Sequence, residues 1–324
     1  MRFLTPTRLK QSYPNDGFAL CGRAEVYRVK GDLSNALTSY ELAIERNPFT
    51  PEPLVGKFEV LREIGNFVEA GILLEAARLR FPQDPTLASI HAELLEGRAD
   101  LLPALSAYDD VIKNFPRAVR AQLGRARILR RIGRSQNALE VYSALLAAQP
   151  YLAPAQLGRA ATFIELRAFA SAEELLEHPH TPKSLVDWRK HFLMALLHQA
   201  QDDQRKSKTM FEFGMRKTPF VKMRRLYAAA FARLKLRQGE PSLALRAIDA
   251  EPNEISNVVR LHALAASGRV ELARDAFSHI RPDDTNLELA MEIARRFQIV
   301  AQQPKHDLAW IYSSEERAML LEAA

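Results

Sequence analysis

Between residues 17 and 152 the apolar positions of this chain recur with two nested periods. The shorter period is helical. Leu20, Ala24 and Tyr27 are spaced by four and three, so they share one face of a helix. Gly31-Asp32 interrupts that stripe, because glycine accepts the left-handed backbone that ends a helix. Ala36, Tyr40 and Ala43 form a second stripe at the same spacing, and Asn47-Pro48 stops it. Small Ala24 and Ala36 let the two helices approach, while Tyr27 and Tyr40 fill the space beside them. The segment 17–50 therefore predicts a helix–turn–helix unit. No run alternates apolar and polar residues, so no strand is predicted.

The longer period is 34 residues. Alanine recurs at Ala36, Ala70, Ala104, Ala138 and Ala172, and proline at Pro48, Pro82, Pro116 and Pro150. Large apolar residues recur at Tyr27, Leu61, Leu95, Leu129 and Phe163, and again at Tyr40, Leu74, Tyr108, Tyr142 and Leu176. Glycine ends the first helix at Gly31, Gly65 and Gly133, with Ala99 and Arg167 in the same column. Four units are in register: 17–50, 51–84, 85–118 and 119–152. Ala104 and Ala138 are predicted to be buried at helix crossings. A fifth unit, 153–182, is partial, because Pro179 in His178-Pro179-His180 must end its second helix early. The weakest stacking contact is predicted there, between 17–177 and 184–324. The register recovers at about 188–221. A unit at 222–252 has a longer first helix and a short second one, and a clearer unit starts at 254. Residues 285–302 and 313–323 read as terminal helices. The expected organisation is an N-terminal extension over 1–16, repeats over 17–182, divergent repeats over 183–283 and capping helices over 284–324.

These columns resemble the tetratricopeptide repeat, a 34-residue helix–turn–helix with small residues at the crossing and a proline after the second helix. The resemblance implies an all-α fold, a right-handed α-solenoid of about eight repeats with C-terminal capping helices. Each repeat stacks on its neighbours, because one unit cannot bury its apolar face alone. The resemblance also implies that first helices line a concave, partner-binding groove. On the family pattern, one groove column reads Glu25, Glu59, Glu93 and Arg127, and another reads Arg28, Arg62, Glu96 and Arg130. The fourth unit adds Arg120 and Arg131. The family's peptide-carboxylate clamp needs lysine and asparagine at such places. Glu25 and Glu59 stand where asparagines are expected, so that clamp is absent.

Charge sharpens the picture. The net charge is +6, but it is unevenly spread. Residues 117–134 hold seven arginines and no acid, and 203–237 hold 11 basic and two acidic residues. The arginine cluster has three readings. It is a solvated face with repeat-to-repeat salt bridges, for instance Glu93 with Arg127, or a groove for an acidic partner, or a contact for nucleic-acid phosphate. The second island places Arg205, Lys206, Lys208, Arg216, Lys217, Arg224 and Arg225 among Phe211, Phe213, Phe220, Tyr227 and Phe231. It reads as a solvated helix surface or as a second basic surface for nucleic acid, anionic lipid or an acidic protein face.

Catalytic signatures are missing: there is no glycine-rich phosphate loop, Gly-x-Ser-x-Gly or His-Glu-x-x-His. Cys21, the single cysteine, reads as a small residue of the first helix. His178 and His180 read as loop, His191 and His198 as packing or surface. Asp109-Asp110 and Asp202-Asp203 read as helix caps. No enzyme activity, cofactor or metal is expected. The expected partner is another protein or peptide, an acidic one included, with nucleic acid as the alternative. No segment has the roughly 20 apolar residues of a membrane span. With no signal-peptide core at the N-terminus, a cytoplasmic location is expected.

Overall fold

The computed structural model describes residues 16–98, 100–177, 187–218, 221–250, 257–280 and 287–323. These form 18 α-helices and no strand. Packing divides the chain into two compact units, Met1–Ile132 and Gly133–Ala324. The expected break at 178–182 falls outside the described residues. The observed division lies instead inside the fourth repeat, between its two helices.

Unit 1 contains α1 (Gly17–Val29), α2 (Leu33–Arg46), α3 (Glu52–Ile64), α4 (Phe67–Arg80), α5 (Pro85–Gly97), α6 (Leu101–Asn114) and α7 (Val119–Arg131). Odd-numbered helices are the first of each pair. Local chemistry sets the ends. Asp16, Asp32, Asn66 and Asp84 accept hydrogen bonds from the orphan amides of Phe18, Asn35, Glu69 and Leu87, and so cap α1, α2, α4 and α5. Gly31 and Gly65 turn the chain at φ 79° and 81°. First helices α1, α3 and α5 each pack on their own partner and on the next first helix. Ala36, Ala70 and Ala104 are fully buried, as their column predicts.

A second packing column couples successive repeats. The ring of Tyr108 in α6 lies on Gly124 in α7, where an added Cβ would sit 2.3 Å from the ring. Tyr40 lies on Gly56 in the same way, with 2.1 Å available. Where the tyrosine is replaced by Leu74, the facing position is Ile90, and both are buried in one cluster. The two partners trade volume: tyrosine with glycine, leucine with isoleucine.

Unit 2 contains α8 (Ser135–Ala148), α9 (Ala153–Glu165), α10 (Phe169–Glu177), α11 (Asp187–Ala200), α12 (Gln204–Lys217), α13 (Val221–Arg237), α14 (Pro241–Ala250), α15 (Asn257–Ala266), α16 (Val270–Ser278), α17 (Leu287–Arg296) and α18 (Leu308–Ala323). Here Tyr142 of α8 lies on Gly158 of α9, again with too little room for a Cβ. Ala138 is fully buried. Second helix α10 is described to Glu177, and the expected stop at Pro179 lies outside the described residues. Helix α13 has 17 residues, the longer first helix expected at 222–252, and α14 is described to Ala250, where the described residues stop. Arg167 occupies the glycine column and takes φ 56°, a left-handed backbone uncommon for a residue with a side chain.

The two terminal helices differ in what they cover. Helix α17 continues the stack on α15. Helix α18 turns back and packs along the first helices α9, α11 and α13, as well as on α17. Ile311, Glu315, Met319 and Leu320 are its buried side chains.

Candidate functional site

The first helices of unit 1 carry a ladder of ion pairs. At its start, Arg28 in α1 donates to Glu25 at 2.5 Å and to Glu63 of α3, and the Tyr40 hydroxyl donates to Glu25 at 3.2 Å. One repeat on, Arg62 donates to Glu59 at 2.6 Å within α3. Arg120 in α7 then bridges two repeats. Its Nε and Nη2 donate to Glu93 of α5 at 2.5 and 2.6 Å, and Nη2 also donates to Glu59. Arg127 makes a two-pronged contact with Glu96, 2.6 Å on each prong, and the Tyr108 hydroxyl donates to the same carboxylate at 3.0 Å. Arg131 approaches Glu96 at 3.5 Å.

The arginine cluster is thus compensated from within. The expected pairing is shifted by one place, since Glu93 meets Arg120 and Arg127 meets Glu96. Glu25, Glu59, Glu93, Arg120, Arg127 and Arg131 all join the ladder. Arg130 does not project into a groove: its side chain is fully buried, one turn on from the buried Ala126 on the same face of α7. Asp109-Asp110 is not a cap either. Both lie within α6, and Asp109 accepts from Arg125 at 2.6 Å.

Burial opposes a charge on Glu59, but Arg62 and Arg120 outweigh it and hold the carboxyl down to about 2. Glu96 is lowered for the same reason, its burial overcome by Arg127, Arg131 and the Tyr108 hydroxyl. Burial and the neighbouring Glu96 charge push the Tyr108 phenol up. The sign of the pH dependence follows. Glu59 has a lower value folded than its ordinary 4.5, so its pairing stabilises the fold above that pH. The stability is lost as pH falls from 4.5 toward 2, by about 1–3 kcal/mol after allowance for partial exposure. Thermal melts across that window should show a shallower pH slope for Glu59→Gln than for the natural chain. Parallel slopes refute the assignment.

The second basic island is arranged differently. Lys206 pairs with Asp203 at 3.3 Å, and Asp203 caps α12 as expected. Arg205, Lys208 and Arg216 are exposed, with no ion-pair partner among the described residues. Arg224 and Arg225 are half-buried, and Arg224 is partnered. The side chain of Lys217 lies outside the described residues. Phe211 and Tyr227 belong to the core, where both pack on Phe192. Phe213 is 46% exposed and stacks on Trp188 with ring centres 6.1 Å apart.

Other candidates resolve simply. Cys21 is half-buried, and burial pushes its thiol up, away from the reactive thiolate. His198 is buried. His178 and His180 lie outside the described residues. Among the described residues, no group of three or more His, Cys, Asp or Glu could hold a metal ion, and no helix is long and apolar enough to cross a membrane.

The comparisons with known proteins agree with this architecture. A tetratricopeptide-repeat family profile matches residues 91–153. Cellulose synthase operon protein C of Pseudomonas fluorescens (strain SBW25) is 26% identical over 203 residues, which are 60% of this chain but 16% of that protein. The chain therefore spans a small part of that relative's length. A tetratricopeptide repeat protein from Parabacteroides merdae ATCC 43184 superposes with a TM-score of 0.53 at 18% identity, covering 87% of this chain and 98% of the other. The Cut9–Hcn1 hetero-tetramer of the APC/C gives 0.63 at 14% identity, covering 90% and 58%. A human IFIT1 dimer with m7Gppp-AAAA gives 0.58 at 15% identity, covering 84% and 66%. At such identities the likeness is one of fold. The family match places a tetratricopeptide-type repeat at residues 91–153, and the likeness to solved repeat proteins shows the same helix–turn–helix fold over most of the chain.

Proposed function

We propose that the chain is a non-catalytic scaffold that holds a partner protein or peptide on the first-helix face of unit 1. The observation that carries this reading is the ladder itself. Its guanidiniums are fixed by carboxylates yet remain partly exposed, Arg120 by 32% and Arg127 by 33%. Each spends Nε and Nη2 on internal pairs, and neither Nη1 appears in a bond. Such a surface meets a partner with little side-chain ordering left to do, which favours binding. It presents both signs of charge, so it selects a partner of matched pattern over a merely acidic one.

Arg62 is the side chain to test, because it is 38% exposed and, among the described residues, pairs only with Glu59. Partners would be captured from a nuclease-treated lysate, identified by mass spectrometry and titrated against purified protein. Arg62→Ala should weaken binding at least fivefold and shift the melting temperature little. Unchanged affinity for a folded variant places the docking surface elsewhere.

A second reading has its own observation. The exposed, unpaired Arg205, Lys208 and Arg216 supply the charge that a phosphate backbone needs. Binding there would fall steeply with salt, whereas docking on the compensated ladder would not.

A further inference from the structure

Helix α18 occupies the first-helix face of unit 2 as a ligand would. It packs on α9, α11 and α13, the successive first helices whose counterparts in unit 1 carry the ladder. Its buried residues form one stripe, with Ile311, Glu315 and Met319 spaced by four, so a carboxylate lies between two apolar turns. Both sides are buried: Ile311 is 0% exposed, Glu315 2% and Met319 4%.

The face reads that carboxylate specifically. Nδ1 of His262 in α15 lies 3.2 Å from Glu315 Oε1, and Nε of Arg233 in α13 lies 3.7 Å from Oε2. Tyr312 of α18 stacks on His262 with ring centres 5.8 Å apart, and Arg237 lies over the Tyr312 ring. A buried arginine on a groove floor is costly unless a counter-charge arrives. Helix α18 brings that charge, but at 3.7 Å the Arg233 contact is longer than a hydrogen bond. The occupant is therefore chemically matched and imperfectly seated, so a better-seated helix can displace it.

We propose that the inner face of unit 2 is a receptor for an amphipathic helix of a partner protein, with one carboxylate between apolar residues four positions before and after it. In this reading α18 is a resident competitor that keeps the receptor closed until that partner arrives. The proposal extends the interaction role to unit 2, and its test leaves Arg62 and the unit 1 ladder unchanged, so either reading can fail without the other.

The probe is a labelled synthetic peptide of residues 308–323, titrated into the full chain by fluorescence anisotropy. The natural chain should bind it weakly, because α18 competes. Glu315→Ala in the chain should raise affinity for the natural peptide at least tenfold, and adding Arg233→Met should remove that gain. A peptide carrying Glu315→Ala should bind neither chain measurably. Equal affinity of the natural and Glu315→Ala chains overturns the proposal. Hydrogen exchange on the natural chain gives a readout that needs no variant. Amides of 308–323 should exchange at least tenfold faster than those of α13, and faster still with excess peptide. Exchange of α18 at the rate of α13, unmoved by peptide, overturns the proposal. A dimer by light scattering, formed through exchanged α18 helices, also overturns it by making a second copy the occupant.

Discussion

Replacing Gly124 with isoleucine should destabilise unit 1 by about 3 kcal/mol or more, a large effect for a single added side chain. The cause is geometric. A Cβ at 124 would lie 2.3 Å from the Tyr108 ring, well inside van der Waals contact, and isoleucine adds three further carbons. The ring cannot swing away freely, because it is fully buried and its hydroxyl is bonded to Glu96. The same chain contains the remedy. At the equivalent place in the preceding repeat, Leu74 faces Ile90. Tyr108→Leu alone should cost a few kcal/mol, through the cavity it leaves and the lost bond to Glu96. The double variant Tyr108→Leu, Gly124→Ile should be more stable than the sum of the single effects implies, by roughly 1–3 kcal/mol of favourable coupling. Both tryptophans lie in unit 2, so far-UV circular dichroism is the probe to follow through urea unfolding. Additive single effects would show that the two positions do not share one volume.

That pairing was written in the sequence and shows what a sequence discloses. Tyr40 and Gly56, Leu74 and Ile90, Tyr108 and Gly124, and Tyr142 and Gly158 are each 16 residues apart. The 34-residue series isolates columns one at a time and so passes over a trade between columns. Helix positions were legible because the stripes and stops act locally: Gly31 and Gly65 take the left-handed turn that the pattern requires of them. Which carboxylate meets which arginine was not. Glu93 and Arg127 share a column 34 residues apart, yet Glu93 pairs with Arg120, about two helical turns earlier on α7, because neighbouring helices cross at an angle and the long arginine side chain reaches along the helix. The burial of Arg130 was masked by its neighbours, since a run of arginines reads as a surface. The return of α18 was the least legible feature. Its Ile311–Glu315–Met319 stripe announces a buried face, but only tertiary packing tells which surface receives it.

Arg120 is the other position where one substitution should have a large effect. It serves Glu59 and Glu93 together, and Glu93 has only 8% of its side chain exposed. Arg120→Met keeps most of the apolar stem and removes the charge. Glu93 is then left buried without the guanidinium that holds it, while Glu59 retains Arg62. Breaking a buried pair from one side costs about 3–5 kcal/mol, and the partial exposure of Arg120 puts this case near 3. The loss should shrink as pH falls below 4.5, because the Glu59 pairing that Arg120 supports is itself lost on acidification. Removing the charges together tells a different story. Arg120→Met combined with Glu59→Leu and Glu93→Leu should recover most of the stability, since apolar side chains of similar volume often replace a buried ionic group without net cost. Unfolding in urea at pH 7 and pH 4, followed by circular dichroism, separates the cases. If Arg120→Met lowers stability by less than about 1 kcal/mol at pH 7, the bridge contributes no more than an exposed ion pair. If the triple variant is as stable as the natural chain yet loses its captured partner, the ladder serves recognition rather than folding, in keeping with guanidiniums that stay about one-third exposed.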